Sequence, residues 1–356
     1  MRADPVRHHR GSTGTSRTAA NQRRDPAGGN APARRRAAAM TPEVVTMGET
    51  MLRFTPEPGQ SLEQAETYRV DAGGAESNVA VGLARLGRRT AWISRLPSTP
   101  LGRRIASRIG GHDVDVSRVL WVSEGRVGLW FLEPPVRPRP GRAYYDRAGS
   151  AFSQIDPDEV DWTFVRSARW LHLTGITLAL SANCRLLVHR ALDEVAGSPV
   201  TVSFDVNYRA RLWPPQMARE ALEPVLRRAE VIFCPLRDAR MVFGETGEAE
   251  EVAPRWAQRY GARLVVITAG RAGAAAFDGS LHRMTRHYPV RVIDPVGRGD
   301  AFVAGFIGGY LEGGTPTALA WAAALAALKQ TYAGDLVWCT REDLLDVLAQ
   351  EEGIRR

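Results

Sequence analysis

The sequence predicts an α/β protein: a mostly parallel sheet with helices on both faces and a small antiparallel sheet beside it. Three observations carry this. From residue 41 onward short β-rich runs alternate with longer helical ones, the βαβ rhythm of a parallel sheet. Most of the β runs are continuously apolar, as expected of strands covered on both faces. Two stretches, 51–70 and 127–150, break the rhythm with β-type segments, prolines and no intervening helix. They read as two hairpins of a small sheet. A sheet of that size does not stand alone, so it is expected to cover the strand ends as a lid.

Strands are expected at 44–48, 90–96, 170–174, 200–205, 231–234, 264–268 and 290–293. Helices are expected at 76–86, 101–109, 181–195, 217–229 and from Asp300 to about Tyr310. The alanine-rich run 318–328 reads as a buried helix, too short to span a membrane. Ligands in such folds gather beyond the carboxyl ends of the strands. Several of those ends are polar: Glu49, Asp205 with Asn207, and Thr268 with Gly270.

The chain has 356 residues and a net charge of +8. Residues 1–40 hold nine arginines and two acids, a net of +7, which leaves +1 for the body. The basicity therefore belongs to a Gly/Ala/Pro/Arg-rich tail, expected to be disordered and followed by one domain over 41–350. The body has no interleaved basic and aromatic stripe, so no nucleic-acid partner is expected, and no membrane segment either. Three scattered cysteines, Cys184, Cys234 and Cys339, fit free thiols in a reducing cytoplasm. Lys329 is the only lysine. That excludes a Walker-type phosphate loop and a protein-kinase strand lysine, which both need one elsewhere.

The stretch 294–306, DPVGRGDAFVAGF, carries the chemistry. Gly297, Arg298 and Gly299 form a tight loop and Asp300 opens a helix. Glycines let successive N–H groups turn inward as an anion nest, and the helix start adds unpaired donors and a positive dipole end. Asp300 is either a first-turn acid worth about 1 kcal/mol to the helix, or a general base aimed at a hydroxyl beside a bound phosphoryl group. The following glycines at 305, 308 and 309 fit a helix packed very closely on a neighbour.

DPVGRGD, together with GGAESNVAVGLARLG at 73–87, resembles the paired signatures of the ribokinase-like (PfkB) carbohydrate kinases, over about residues 44–345. Within that family the chain is most similar to the 2-keto-3-deoxygluconate kinases, through GLWFLE at 128–133, YYDRAGSA at 144–151, SFDVNYRARLW at 203–213 and Gly334-Asp335. The resemblance implies a Rossmann-like domain with a β lid, ATP and Mg²⁺, a sugar-acid substrate phosphorylated at its terminal hydroxyl, and homo-oligomers formed through the lids. It implies Asp300 as catalytic base and the amides of Gly297, Arg298, Gly299 and Asp300 as anion hole. Gly74, Asn78, Trp130, Tyr145, Arg147, Asn207, Arg209 and Asp335 would meet the sugar. Thr268, Gly270, Gly273 and Asp294 would serve the nucleotide side. Arg147 and Arg209 suit a carboxylate, which a guanidinium grips in a fork.

Two departures stand out. Arg298 replaces the usual alanine of the loop. Pro235-Leu236-Arg237-Asp238 replaces an Asn-x-x-Glu pattern that organises magnesium, leaving Asp238 as the metal-side candidate. They motivate one alternative, a sugar-binding regulatory protein with weak catalysis. A neutral-sugar kinase of the fructokinase or ribokinase type is the other.

Overall fold

The fold is read from a computed structural model that describes residues 41–284 and 288–349; the tail expected over 1–40 lies outside them. The large sheet holds β1 (Val44–Met47), β4 (Thr90–Ile93), β9 (Trp170–Thr174), β10 (Thr201–Asp205), β11 (Val231–Pro235), β12 (Leu264–Thr268), β13 (Ala274–Phe277) and β14 (Leu281–Arg283). Their spatial order is β14-β13-β12-β11-β10-β9-β1-β4. The six from β4 to β12 are parallel, and the last two add antiparallel. Alternation along each strand feeds two cores. Val44, Trp170, Phe233 and Val266 face one layer. Val45, Leu171, Phe204 and Val265 face the other.

On the first face lie α1 (Ala75–Arg85), α9 (Arg298–Lys329) and α10 (Arg341–Ala349). The second is covered by α3 (Trp162–Arg166), α4 (Gly175–Leu180), α5 (Ala182–Val195), α6 (Pro215–Leu226), α7 (Leu236–Phe243) and α8 (Ala249–Tyr260). A third cluster joins α1 and α2 (Pro100–Gly110) to the lid. Local chemistry sets several helix starts: the Thr99 hydroxyl accepts from Gly102 N at 3.3 Å and that of Ser181 from Cys184 N at 3.0 Å.

The long α9 is two helices in one. Gly313 and Gly314 leave helical geometry, and the two halves fold back on each other across them. A Cβ on Gly305 would lie 2.7 Å from the Trp321 carbonyl oxygen and 2.8 Å from Ala322 Cα. The glycines that look costly in a helix interior are the contact surface, as the sequence suggested.

The lid contains β2 (Met51–Pro56), β3 (Tyr68–Gly73), β7 (Leu129–Glu133) and β8 (Arg142–Asp146) in the order β3-β2-β7-β8. Two antiparallel pairs, β2 with β3 and β7 with β8, meet along a parallel contact between β2 and β7. One register row crosses the sheet through Asp71, Arg53, Trp130 and Tyr145.

Three expectations change. The run 90–96 splits, because Ser94 ends β4 and β5 (Arg95–Pro97) pairs with β6 (Leu120–Val122) instead. The alanine-rich β13 carries no β signal, and only its partners make it a strand. Residues 290–293 form no strand. The sheet ends at β14, Val292 and Ile293 are 51% and 58% exposed, and Ile293 N donates to the Gln330 carbonyl at 2.8 Å.

Candidate active site

Strand ends, the first turn of α1 and the first turn of α9 converge where the sequence places the chemistry. The loop 294–300 turns on Gly297, whose φ is +79°. A Cβ there would stand 2.1 Å from the Asp335 carbonyl oxygen, so both conformation and space require glycine. Gly299 and Arg298 are exposed. The Arg298 guanidinium makes no hydrogen bond or ion pair among the described residues.

Asp300 sits half-buried in the first turn of α9. Its Oδ2 accepts from Asn78 Nδ2 at 2.6 Å, and Asn78 Oδ1 accepts from Gly74 N at 3.3 Å. The start of α1 thus orients the carboxylate, and Gly74 lets the strand–helix turn close: a Cβ would be 2.0 Å from the Glu49 carbonyl oxygen. Burial pushes the Asp300 pKa up, against Asn78 and the charges of Arg209 and Lys329. Withdrawal from water outweighs its partners, a condition common in catalytic acids and bases.

Two further carboxylates lie within electrostatic reach. Asp205, at the end of β10, is pushed to about 8, first by burial and then by the negative charges of Asp300 and Asp238. Its oxygens accept from Asn207 N and Nδ2 at 3.2 and 3.3 Å, and Asn207 holds a left-handed φ of +38°. Asp238, in the first turn of α7, accepts from Tyr208 N at 3.2 Å and Arg237 Nε at 3.0 Å, and burial raises it too. A cation would relieve this crowding of negative charge. No group of three or more His, Cys, Asp or Glu among the described residues is set to cage a metal. One or two carboxylates with phosphates and water suit Mg²⁺, so the site fits that ion.

The lid contributes Trp130, which is 5% exposed and stacks on Tyr145 with ring centroids 5.7 Å apart. Tyr145 is 44% exposed. The two arginines expected to meet a carboxylate differ. Arg209 is exposed and has no ion pair among the described residues. Arg147 is held by Glu49, whose Oε2 accepts from Nε at 2.8 Å and also from Nη2. On the nucleotide side, Thr268 is half-buried at the end of β12, with Gly270 exposed and Gly273 buried in the turn before β13.

Asp294 and Asp335 lie beneath the loop rather than in the open. Both are buried, and both pair with Arg53 of the lid: Nη2 to Asp294 Oδ2 at 2.6 Å and Nη1 to Asp335 Oδ1 at 2.7 Å. Arg53 went unnoticed in the sequence, as did Glu76. Glu76 Oε1 accepts from Thr174 and Thr177 at 2.8 and 2.7 Å, and burial pushes its carboxyl to about 7. Neither has a local signal; each is a charged residue inside an otherwise ordinary strand or helix. The lone lysine is buried as well, donating from Nζ to the Asp294 carbonyl at 3.0 Å.

The family model for pfkB family carbohydrate kinases matches residues 41–339. The chain belongs to that family. It is an ATP-dependent carbohydrate kinase. Over 310 residues it is 38% identical to the 2-dehydro-3-deoxygalactonokinase of Haloferax volcanii, covering 87% of this chain and 97% of that protein. Identity to the 2-dehydro-3-deoxygluconokinase of Bacillus subtilis is 32%, with 88% and 98% covered. Among solved structures, the 2-dehydro-3-deoxygluconokinase of Thermotoga maritima superposes with a TM-score of 0.82 at 31% identity, covering 87% and 99% of the two chains.

Proposed function

We propose that this kinase phosphorylates the terminal hydroxyl of 2-keto-3-deoxygluconate, giving 2-keto-3-deoxy-6-phosphogluconate. The single observation carrying the reading is an exposed Arg209, without an ion pair among the described residues, within electrostatic reach of Asp300. A neutral sugar has no use for a free guanidinium there; a carboxylate does. Relatives named for 2-dehydro-3-deoxy sugar acids support the same class. The epimeric 2-keto-3-deoxygalactonate is a second reading, favoured by the 38% identity to a kinase named for it.

In this mechanism Asn78 holds Asp300 toward the acceptor hydroxyl. Asp300 takes the proton, the hydroxyl oxygen bonds to the γ-phosphorus of ATP, and the bond to the β-phosphate oxygen breaks, releasing ADP. The amides of Gly297 to Asp300 stabilise the charge on the transferring group. Arg209 holds the substrate carboxylate, with Arg147 contributing its remaining edge or exchanging Glu49 for substrate. Trp130 and Tyr145 wall the sugar, and Gly74, with Asn207 near the end of β10, binds hydroxyls. Asp335 acts from below the loop, through its backbone against Gly297, and Asp294 braces the nucleotide side. Thr268, Gly270 and Gly273 line the nucleotide. Mg²⁺ would be held mainly by phosphates and water with Asp205 and Asp238 behind them, and it would neutralise phosphate charge. Arg298, exposed and without an ion pair among the described residues, would help hold phosphate.

A cytoplasmic setting and assembly through the lid belong to the same reading; light scattering of the purified protein checks the second. The deciding experiment is ATP consumption over both epimers, fructose and ribose, with Asp300→Asn as control. Best turnover on a neutral sugar would overturn the sugar-acid assignment.

A further inference from the structure

Among the described residues Arg53 is the only arginine buried from solvent, at 1% exposure. It stands on β2, inside the lid, yet its charged end lies in the body of the protein. Each guanidinium nitrogen donates: Nε to Thr55 Oγ1 at 2.9 Å, Nη1 to Asp335 Oδ1 at 2.7 Å and Nη2 to Asp294 Oδ2 at 2.6 Å. Its Cζ lies 5.3 Å from the ring centroid of Trp130, its register neighbour in the lid.

Both acceptors fix the anion loop. Asp294 begins it. Its Oδ1 accepts from Val296 N at 3.1 Å, and its Oδ2 also accepts from Gly334 N at 3.0 Å. Its carbonyl accepts from Lys329. Asp335 presents its backbone carbonyl to Gly297, so closely that no Cβ fits between them. Its other carboxylate oxygen lies against Gly73, at the joint between the lid and α1. Burial raises the pKa of Asp335; Arg53 pulls it down, and the negative charge of Asp294 pushes it up again. Without a cation between them the loop loses the centre it is wrapped around.

We propose that Arg53 is a positioning residue that ties the lid to the anion loop. By clasping Asp294 and Asp335 it sets the loop amides and Asp300 for phosphoryl transfer, and it makes that geometry depend on the seating of β2. It touches neither sugar nor nucleotide. The inference rests on the loop-and-Asp300 reading above, but not on which sugar is used.

The test uses the full chain with its best sugar from the panel. Arg53→Lys keeps the charge and loses the fork; Arg53→Ala removes both. For Arg53→Lys, kcat is expected to fall by roughly 10- to 100-fold, with KM for sugar and ATP within about threefold of wild type, because a misplaced loop costs transition-state contacts rather than ground-state binding. For Arg53→Ala, kcat is expected to fall further and to recover at least about tenfold in millimolar guanidinium, which refills the hole with the missing group. A merely structural arginine would change the folded fraction and melting temperature, not kcat per folded molecule. The proposal is overturned if Arg53→Lys keeps kcat within about twofold per folded molecule, or if its loss lies wholly in sugar KM. It is also overturned if folded Arg53→Ala ignores guanidinium. If Arg53→Ala does not fold, Arg53→Lys decides alone. Asp300→Asn, run alongside, separates the two readings: full activity there sinks the base assignment whatever Arg53 does.

Discussion

The floor beneath the anion loop and the rim above it carry the same kinds of charge in opposite condition. In the floor, Arg53, Asp294, Asp335 and Lys329 are buried, and each has a protein partner. At the rim, Arg209 and Arg298 are exposed and unpaired among the described residues. A buried charge without a partner is very costly, so the floor can only be a fixed, mutually satisfied network. An exposed charge keeps its water until a partner replaces it, so on the proposed function the rim is what an anionic substrate would meet. On the two proposals above, the contrast assigns geometry to the floor and selection to the rim. Asp300 lies between them, half-buried and tied to Asn78.

The largest expected effect falls on that boundary. Asp300→Asn should lower kcat by about 10³-fold while leaving nucleotide affinity near wild type, measured by steady-state kinetics and calorimetric titration. In the wild type, kcat/KM should fall on the acid side as Asp300 takes up a proton. Because burial raises its pKa, that limb should lie above the ordinary carboxylate range. An acid limb at ordinary carboxylate values would place Asp300 on the rim and blur the distinction.

Gly297→Ala tests the floor. It forces a side chain into a left-handed φ and against the Asp335 carbonyl. A loss of about 1–3 kcal/mol in unfolding free energy and a fall in kcat of about 100-fold are expected. Unchanged kcat would mean that the loop is not held by its floor. Arg209→Ala tests the rim. KM for the sugar acid should rise by about 10- to 100-fold, with KM for ATP unaffected. An equal effect with a neutral sugar would show that this arginine does not read a carboxylate.

The smallest effect concerns stability alone. Glu76 is fully buried and raised to about 7, so its charged form is penalised in the fold. The folded protein then binds the extra proton between the unfolded and folded pKa values, and stability falls as pH rises from about 4.3 to about 7. Glu76→Gln should remove that slope and gain on the order of 3 kcal/mol at pH 8. Denaturant melts at pH 5 and pH 8 check it; an unchanged slope would assign the burial cost elsewhere.

Much of this was legible in the chain because it is written locally. Continuous apolar runs marked the parallel strands, and Gly297 and Gly299 marked the loop before Asp300. The glycines of α9 announced a close contact. The misses share one cause. β13 is a strand only because β12 and β14 flank it, and 290–293 is not one because the sheet has already ended. Arg147 reads as a free cation in the sequence and is engaged by Glu49 in the fold.

What the sequence by itself determined was the kind of machine: an α/β carbohydrate kinase with a glycine-bearing loop at a helix start and polar groups at its strand ends. Tertiary structure alone decided which charges are spent and which are free. Arg53 meets Asp294 and Asp335 across 241 and 282 residues of chain, a pairing with no period, spacing or neighbour to betray it. Hydrogen-bond spacing within a helix is dictated by nearby residues, but the partner of a buried charge is whatever the folded chain brings within about 3 Å of it.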